Sequence, residues 1–242
     1  MHIKSITASL LLLISCTSAH ATGAGDTLVN LGWAHLDPHD TSEPLSTTAQ
    51  GKTSTKPGSG SSIDNADTAF MAFTHFFTDH LGAETALGVP PTLHLKGEGT
   101  TAPLGELATA KANSPLLEAV YYFGDKDQTL RPFLGAGVTY VWFNDVKLSQ
   151  NIANGKFLAS PTTGNALVGP TTAKIDSGFY PVATAGLACQ FNKNWSARLS
   201  ATYIPLKVDA TLTTQAPAGT VVTSSKGSLN AAVSFLSVGY TF

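Results

Sequence analysis

The stretch WSARLSATY, residues 195–203, alternates apolar and polar side chains from end to end. One row consists of Trp195, Ala197, Leu199, Ala201 and Tyr203, and the other of Ser196, Arg198, Ser200 and Thr202. Because successive side chains of a strand point to opposite faces, this pattern predicts a β-strand with one apolar face. Aromatic residues end the apolar row, as they do at the two interfaces of a strand that crosses a membrane. A soluble sandwich strand with one buried face alternates in the same way, so the rest of the chain must decide between the two.

Seven further segments favour strands in the same way. The eight predicted strands cover residues 27–36, 66–77, 81–95, 115–124, 131–144, 176–191, 195–209 and 228–242. The connections 78–80, 125–130 and 192–194 are short, whereas 37–65, 97–113, 146–175 and 213–227 are long. Short periplasmic turns and long external loops are typical of outer-membrane barrels, and a soluble sandwich has no reason to sort its loops in this way. We therefore expect an all-β fold, an eight-stranded antiparallel transmembrane β-barrel, because eight strands can close and remove both sheet edges.

The composition agrees with a barrel in a membrane. Charged residues make up 12% of the chain, about half the usual fraction in soluble domains. The net charge of −2 comes without a basic patch, so we expect no nucleic-acid partner. No run of 18 apolar residues occurs outside the N-terminus, which excludes a helical membrane span.

Residues 1–21 are predicted to be a secretory signal peptide. Lys4 gives a positive start, an apolar core follows, and an A-x-A site ends at Ala21. A lipoprotein signal with a lipidated Cys16 is the alternative. We expect cleavage near Ala21, leaving residues 22–242 as the barrel domain in the outer membrane of a Gram-negative bacterium.

The last ten residues, VSFLSVGYTF, form another alternating stretch. Leu236, Val238, Tyr240 and Phe242 share one face. We interpret Phe242 as the lipid-facing foot of the last strand. Tyr240 and Phe242 resemble the aromatic C-terminal signature of outer-membrane barrels, which implies recognition by the barrel-insertion machinery.

Three stretches together resemble the OmpW family of small outer-membrane proteins. They are TDHLGAETALGVPP (78–91), LLEAVYYFGDKDQTLRPFLGAGVTYVWF (116–143) and the terminal SVGYTF. The segment RPFLGAG, residues 131–137, is the most specific part. The resemblance covers predicted strands 2 to 8, whereas the loop 146–175 matches nothing in it. It implies an eight-stranded barrel with an apolar lumen, and passive passage of small hydrophobic molecules across the outer membrane.

Strand parity predicts which side chains line the lumen. The predicted channel-lining residues of the upper lumen are Leu116, Val120, Ile204, Leu206, Val233 and Phe235. A water-filled porin would place polar side chains there instead. The set favours a narrow hydrophobic channel, while a small barrel packed solid by its own side chains is the alternative.

Prolines inside predicted strands suggest a lateral opening. Pro90, Pro91, Pro181 and Pro205 all fall toward the external half of the barrel, as does Pro115. Proline cannot donate to a strand ladder, so these residues weaken pairing in the wall. The hypothesis is that an apolar solute leaves the lumen there for the membrane. Rim bulges are the alternative, because they are ordinary features of barrels.

Four charged residues have inward parity in the lower lumen: Glu84, Glu118, Arg131 and Arg198. Buried charges need partners, so we expect a Glu–Arg cluster that blocks the bore to water and ions, most simply as a structural pairing.

No residues indicate an enzyme, a metal site or a cofactor. The histidines of HLDPHD, residues 35–40, could bind a metal but begin a long loop whose geometry nothing constrains. No nucleophile with a positioned base is visible. The sequence thus predicts a hydrophobic channel whose partners are outer-membrane lipids and small hydrophobic solutes. The alternative is a structural or surface-interaction barrel whose long loops, 37–65 and 146–175 among them, bind other partners without transport.

Overall fold

The computed structural model describes residues 22–159 and 164–242, so the predicted signal peptide and Cys16 lie outside the described residues. Almost all regular structure in these ranges is β. The strands are β1 (Thr27–Ser42), β2 (Ser46–Ala49), β3 (Lys52–Thr55), β4 (Ser59–Ile63), β5 (Ala66–Phe76), β6 (Leu81–Gly88), β7 (Thr92–Gly99), β8 (Glu106–Asn113), β9 (Leu116–Tyr122), β10 (Leu130–Leu148), β11 (Thr171–Ile175), β12 (Gly178–Gln190), β13 (Trp195–Ala216) and β14 (Gly219–Thr241). A one-turn helix, α1, spans Gln150–Ala153, and within the described ranges no helix has the length and hydropathy to cross a membrane.

Eight of these strands close a barrel. Antiparallel pairing runs in the order β1, β5, β6, β9, β10, β12, β13 and β14, and β14 pairs back with β1. Leu31 lies opposite Val238 at the closing seam. Closure gives every barrel strand two neighbours and removes the free edges that would invite aggregation. The predicted all-β, eight-stranded antiparallel barrel is confirmed.

The predicted strand 81–95 and the four predicted long loops differ from the structure. The predicted strand 81–95 is two strands, because residues 89–91 break it between β6 and β7. Pro90 and Pro91 account for the break, since neither can donate to a ladder. The external segments 37–65, 97–113, 146–175 and 213–227 are not irregular loops. They carry β2, β3, β4, β7, β8 and β11 and extend β1, β10, β13 and β14 beyond the ring.

The two ends of the barrel differ. The end with the short connections between β5 and β6, β9 and β10, and β12 and β13 is called the turn end here, and the opposite one the loop end. At the loop end, β13 and β14 continue in register to a tight turn at residues 217–218. β8 pairs with the upper part of β10 beyond the end of β9, and β7 pairs with β8, so these two strands continue the wall. The barrel wall therefore rises well beyond its eight-stranded part.

Apolar side chains cover the outside of the barrel. Leu31, Leu117, Leu134, Leu199 and Leu236 are each more than half exposed on this outer face. Aromatic residues border the band at the turn end (Phe77, Tyr121, Phe123, Trp195, Tyr240 and Phe242) and at the loop end (Tyr140, Trp142, Phe179 and Tyr203). An apolar band between two aromatic girdles is the surface that a bilayer requires.

Candidate functional site

The interior of the barrel is layered, and the inward row of β10 passes through every layer. Alternation places Arg131, Phe133, Gly135, Thr139 and Val141 of this strand toward the axis, all of them buried.

An apolar base closes the turn end. The base cluster contains Leu28, Phe76, Val120, Tyr122 and Phe133. The rings of Tyr122 and Phe133 are stacked, with their centroids 4.9 Å apart. The prediction placed Val120 in the upper lumen, whereas the structure places it here. The reason is strand direction, because β9 descends from the loop end and Val120 lies two residues below Glu118.

Arg131 lies under the base cluster and not with the other lumen charges, which corrects its predicted place. Its Nη1 donates to the carbonyl of Thr22 at 3.1 Å and its Nη2 to the carbonyl of Asp79 at 2.6 Å. The guanidinium also lies over the ring of Tyr122, 5.2 Å from the centroid. Arg131 thus ties the start of the described chain and the first turn to the barrel base.

A charged layer lies above the base cluster. Arg198 on β13 donates from Nη1 and Nη2 to the carboxylate of Glu84 on β6 at 2.5 and 3.3 Å, and both side chains are almost fully buried. Thr74 donates to the same carboxylate. The guanidinium lies 4.4 Å above the ring of Phe133. A buried charge pair with added hydrogen bonds is stable, whereas either charge alone would not be.

Glu118 completes this charged layer as the cross-strand partner of Glu84. Its carboxylate accepts a hydrogen bond from the hydroxyl of Thr184 at 2.8 Å. Room for it comes from Gly135 and Gly137, because a Cβ on Gly135 would lie 2.7 Å from the Glu118 carboxylate and one on Gly137 would overlap the Glu118 backbone. The charged layer, defined as Glu84, Glu118 and Arg198, crosses the bore between opposite walls.

Above the charged layer lies an apolar cavity of about 100 Å³, called the lumen cavity. Four of the predicted channel-lining residues face it: Leu116, Ile204, Val233 and Phe235. Leu36, Phe70 and Ala86 add to the same wall. Strand parity could have assigned these three as well, but their height in the barrel depends on pairing.

The lumen cavity reaches the barrel wall where β6 ends. Gly88, Val89 and Pro91 line it there, together with Ser114. Pairing of β6 with β9 stops at Ala86 opposite Leu116, and pairing of β7 with β8 starts only at Thr92 opposite Lys111. One backbone bond, from the N–H of Ala112 to the carbonyl of Pro91, spans the interval. Pro90, Pro91 and Pro115 therefore all lie in one interruption of the wall.

Pro181 and Pro205 lie at a second interruption. The ladder between β12 and β13 ends at Ala183 opposite Tyr203, so Pro181 and Pro205 lie just beyond its last pair. Each proline is still in register with the strand on its other side, Pro181 with Val138 and Pro205 with Asn230. The five prolines of the sequence prediction thus divide between two separate breaks in pairing.

A packed apolar layer lies above the lumen cavity. This apolar plug consists of Val141, Leu206, Leu229 and Ala231, all more than 90% buried. Leu206 and Leu229 are cross-strand partners on β13 and β14. The predicted channel-lining residue Leu206 therefore lies in the plug and not on the lumen cavity.

A larger cavity of about 170 Å³, called the external cavity, lies above the plug inside the extended wall. Its lining is mainly aliphatic and aromatic and includes Leu93, Leu95, Leu107, Phe143, Val146, Leu148, Ile152, Phe157, Ile175, Val208 and Leu212. Leu107 and the lining residues of 146–175 were missed because their segments were predicted to be loops. Leu93, Leu95, Phe143 and Val208 lie in predicted strands, but the sequence alone does not show that they line a cavity. Short alternating runs such as TLHL at 92–95 and VKL at 146–148 carried the signal.

The described residues do not bring three metal-binding side chains together. The histidines on the outside make pairs instead. Nδ1 of His35 lies 2.7 Å from Asp67, and Nδ1 of His94 lies 2.7 Å from Glu106, both at exposed positions. The lumen cavity and the external cavity can therefore hold apolar molecules above the charged layer.

Comparison with known proteins gives one consistent result. The model of the OmpW family matches residues 23–242. Outer membrane protein W of Vibrio cholerae is 26% identical over 235 residues, which cover 97% of this chain and 96% of that protein. The crystal structure of OprG from Pseudomonas aeruginosa superimposes with a TM-score of 0.77 at 23% identity, covering 93% of this chain and 99% of OprG. The solid-state NMR structure of outer membrane protein AlkL gives 0.63 at 20% identity, with coverage of 100% and 97%.

Proposed function

The chain belongs to the OmpW family of Gram-negative outer-membrane barrels, and from this premise we propose that it lets small apolar molecules cross that membrane passively. The turn end then faces the periplasm and the loop end the exterior. The observation that carries the proposal is that two apolar cavities, the external cavity and the lumen cavity, lie one above the other with the apolar plug between them.

Apolar burial provides the attraction for a solute. Each Å² of apolar surface that leaves water contributes about 25 cal/mol, and few polar groups line the two cavities. Binding has to stay weak, because a tightly held solute does not leave. Hydrophilic solutes gain nothing in these cavities and lose their hydration.

The charged layer supports an exit through the wall instead of through the base. Below the lumen cavity a solute meets Glu84, Glu118 and Arg198, and then the packed base cluster. Entering this layer would require an apolar solute to disrupt a buried ion pair. The wall interruption at Pro90 and Pro91 already borders the lumen cavity, so lateral release into the membrane is the proposed route.

Uptake by cells tests the proposal. Cells that lack or carry this protein are given labelled n-octane and, in parallel, a labelled hydrophilic solute of similar size. We expect faster uptake of octane alone. Equal acceleration of both solutes would indicate a water-filled pore, and no acceleration of either would reject transport.

The wall interruption has its own test. Replacing Pro90 and Pro91 together by valine restores two N–H donors and lets β6 and β7 join. Octane uptake should fall, while the pair Pro181→Val and Pro205→Val serves as a comparison at the other break. Unchanged uptake in both double variants would count against lateral release.

The remaining partners follow from the same proposal. Phe242 is 73% exposed at the foot of β14, which suits its proposed recognition by the barrel-insertion machinery. Outer-membrane lipids contact the apolar band, and small hydrophobic solutes are the cargo.

A further inference from the structure

Strands β10, β13 and β14 cross the apolar plug in the same order. On β13 the inward residues Thr202 and Ile204 face the lumen cavity, Leu206 is in the plug, and Val208 faces the external cavity. The sequence Val233, Ala231, Gly227 repeats this order on β14, and Thr139, Val141, Phe143 repeats it on β10. A solute that passes between the cavities must therefore displace a plug side chain.

Most of the plug stands on firmly paired strands. Leu229 and Ala231 have backbone partners on both sides, in β1 and in β13. Displacing either would break strand pairing in two ladders. Such residues are poor candidates for the moving part.

β12 is different at the same height. Tyr180 packs against the plug and is in register with Thr139 of β10, but β12 has no ladder partner in β13 beyond Ala183. Backbone pairing on that side of β13 resumes at Asp209, whose carbonyl accepts from the N–H of Asp176, and at Ala210, which lies opposite Ile175 of β11. Residues 178–182 of β12 are thus held by a single ladder.

The Tyr180 hydroxyl closes this gap. It donates to the carbonyl of Lys207 on β13 at 2.6 Å. Gly178 makes room for the ring, because a Cβ there would lie 3.0 Å from the hydroxyl oxygen. One side-chain hydrogen bond therefore links β12 and β13 at the level where the backbone ladder between them has ended.

We infer that Tyr180 is the gate residue between the external cavity and the lumen cavity, held closed by its hydrogen bond to the Lys207 carbonyl. Release of this bond lets the ring move away from the plug side chains, together with the singly paired end of β12. The hydroxyl limits how often the gate opens, and the ring limits the size of the solute. The inference rests on the proposed function and names the residue that controls passage.

The test compares two tyrosines that each lose one hydroxyl. Tyr180→Phe removes the bond to Lys207 and keeps the ring, whereas Tyr203→Phe removes an outward bond to Asn230 on the neighbouring strand. Octane uptake should rise about five-fold in Tyr180→Phe, the factor that corresponds to one ordinary hydrogen bond, and stay unchanged in Tyr203→Phe. Wild-type uptake no faster than that of cells without the protein would overturn the proposed function. Wild-type transport with equal rates in all three proteins would overturn only the gate.

A second measurement does not depend on transport. Leu206→Cys places a thiol in the plug, where the leucine is 7% exposed. Its labelling by a small maleimide should be slow in the wild-type background and faster when Tyr180→Phe is also present. The same two proteins without Leu206→Cys show how much of the labelling comes from Cys189. Equal labelling rates in both backgrounds would show that the hydroxyl does not hold the plug closed. Heat-modifiable migration on gels confirms that each variant is folded.

Discussion

Arg198 on β13 and Glu84 on β6 join opposite walls of the barrel by two hydrogen bonds. The two strands are four places apart in the ring of eight, so the pair spans the full bore. It is nearly inaccessible to solvent, with side-chain exposures of 5% and 6%. This one contact both braces the barrel and separates the apolar cavities from the base.

Loss of one partner should destabilise the barrel strongly. Glu84→Met removes the carboxylate that accepts both hydrogen bonds of the buried Arg198 guanidinium, at an expected cost of roughly 3–5 kcal/mol in the free energy of unfolding. The double variant Glu84→Met with Arg198→Met should recover most of this loss, because it removes both charges. Urea unfolding in lipid vesicles measures the difference. Lys126→Met, which breaks the exposed pair with Asp127, is the control and should cost less than about 1 kcal/mol. A single variant as stable as the double one would contradict the bracing role.

Gly135 should not tolerate a methyl group. A Cβ there would lie 2.7 Å from the Glu118 carboxylate, so Gly135→Ala should cost about 1–3 kcal/mol through overpacking. Glu118→Ala in the same chain removes the obstructing carboxylate and should restore part of the stability. Ala136→Ser, on the exposed face one residue later, is the control. If Glu118→Ala does not improve the Gly135→Ala barrel, the clash is not the cause.

Arg131→Lys should loosen the base although the charge is kept. The guanidinium serves the carbonyls of Thr22 and Asp79 at once, and a lysine ammonium cannot reproduce this fork. We expect a loss of about 1–3 kcal/mol and faster proteolysis near residue 22. The cleavage rate, followed by mass spectrometry, measures the effect, and Lys193→Arg at the same end is a neutral comparison. Equal cleavage in wild type and Arg131→Lys would show that the fork is dispensable.

Phe235→Ser should weaken transport without unfolding the barrel. Phe235 lines the lumen cavity and meets the ring of Phe70 edge-on at 4.8 Å. Exchanging the ring for a hydroxyl removes apolar surface worth roughly 1–2 kcal/mol to a bound solute, so octane uptake should fall several-fold. Leu236→Ser, whose side chain faces the membrane, is the matched neighbour and should leave uptake per folded barrel unchanged. A larger effect at Leu236 than at Phe235 would reject the lumen cavity as the path.

One pH effect is expected outside the membrane. The Lys111 ammonium donates a hydrogen bond to Asp145 and lowers the pKa of that carboxyl below its ordinary value. The pairing therefore stabilises the external wall at neutral pH and is lost as the pH falls through this lowered pKa. Carbon NMR of the Asp145 carboxyl should show the lowered midpoint in the wild type. In Lys111→Gln it should return toward the ordinary value, and an unchanged midpoint would contradict the assignment.

The sequence by itself determined which faces meet lipid and how many strands the barrel has. Both follow from the period of two, which is a local pattern. Alternation within WSARLSATY is enough to place Leu199 and Tyr203 on one face and Arg198 on the other. The break at Pro90 and Pro91 is also visible locally, as a loss of donors, although the apolar pattern predicts one strand over 81–95. RPFLGAG is the most specific part of the family resemblance, and the structure explains its glycines through the space that Gly135 and Gly137 leave for Glu118.

Only the tertiary structure decided how high along the barrel axis each inward residue lies. Strands in a barrel are tilted and staggered, so the level of an inward residue depends on the register of every neighbour. For this reason Val120 lies in the base cluster, Arg131 lies below it, and Leu206 is in the plug, although parity pointed all three inward. The same non-local register leaves Tyr180 facing a stretch of β13 that has no ladder partner on the β12 side, a relationship that no pattern within either strand contains.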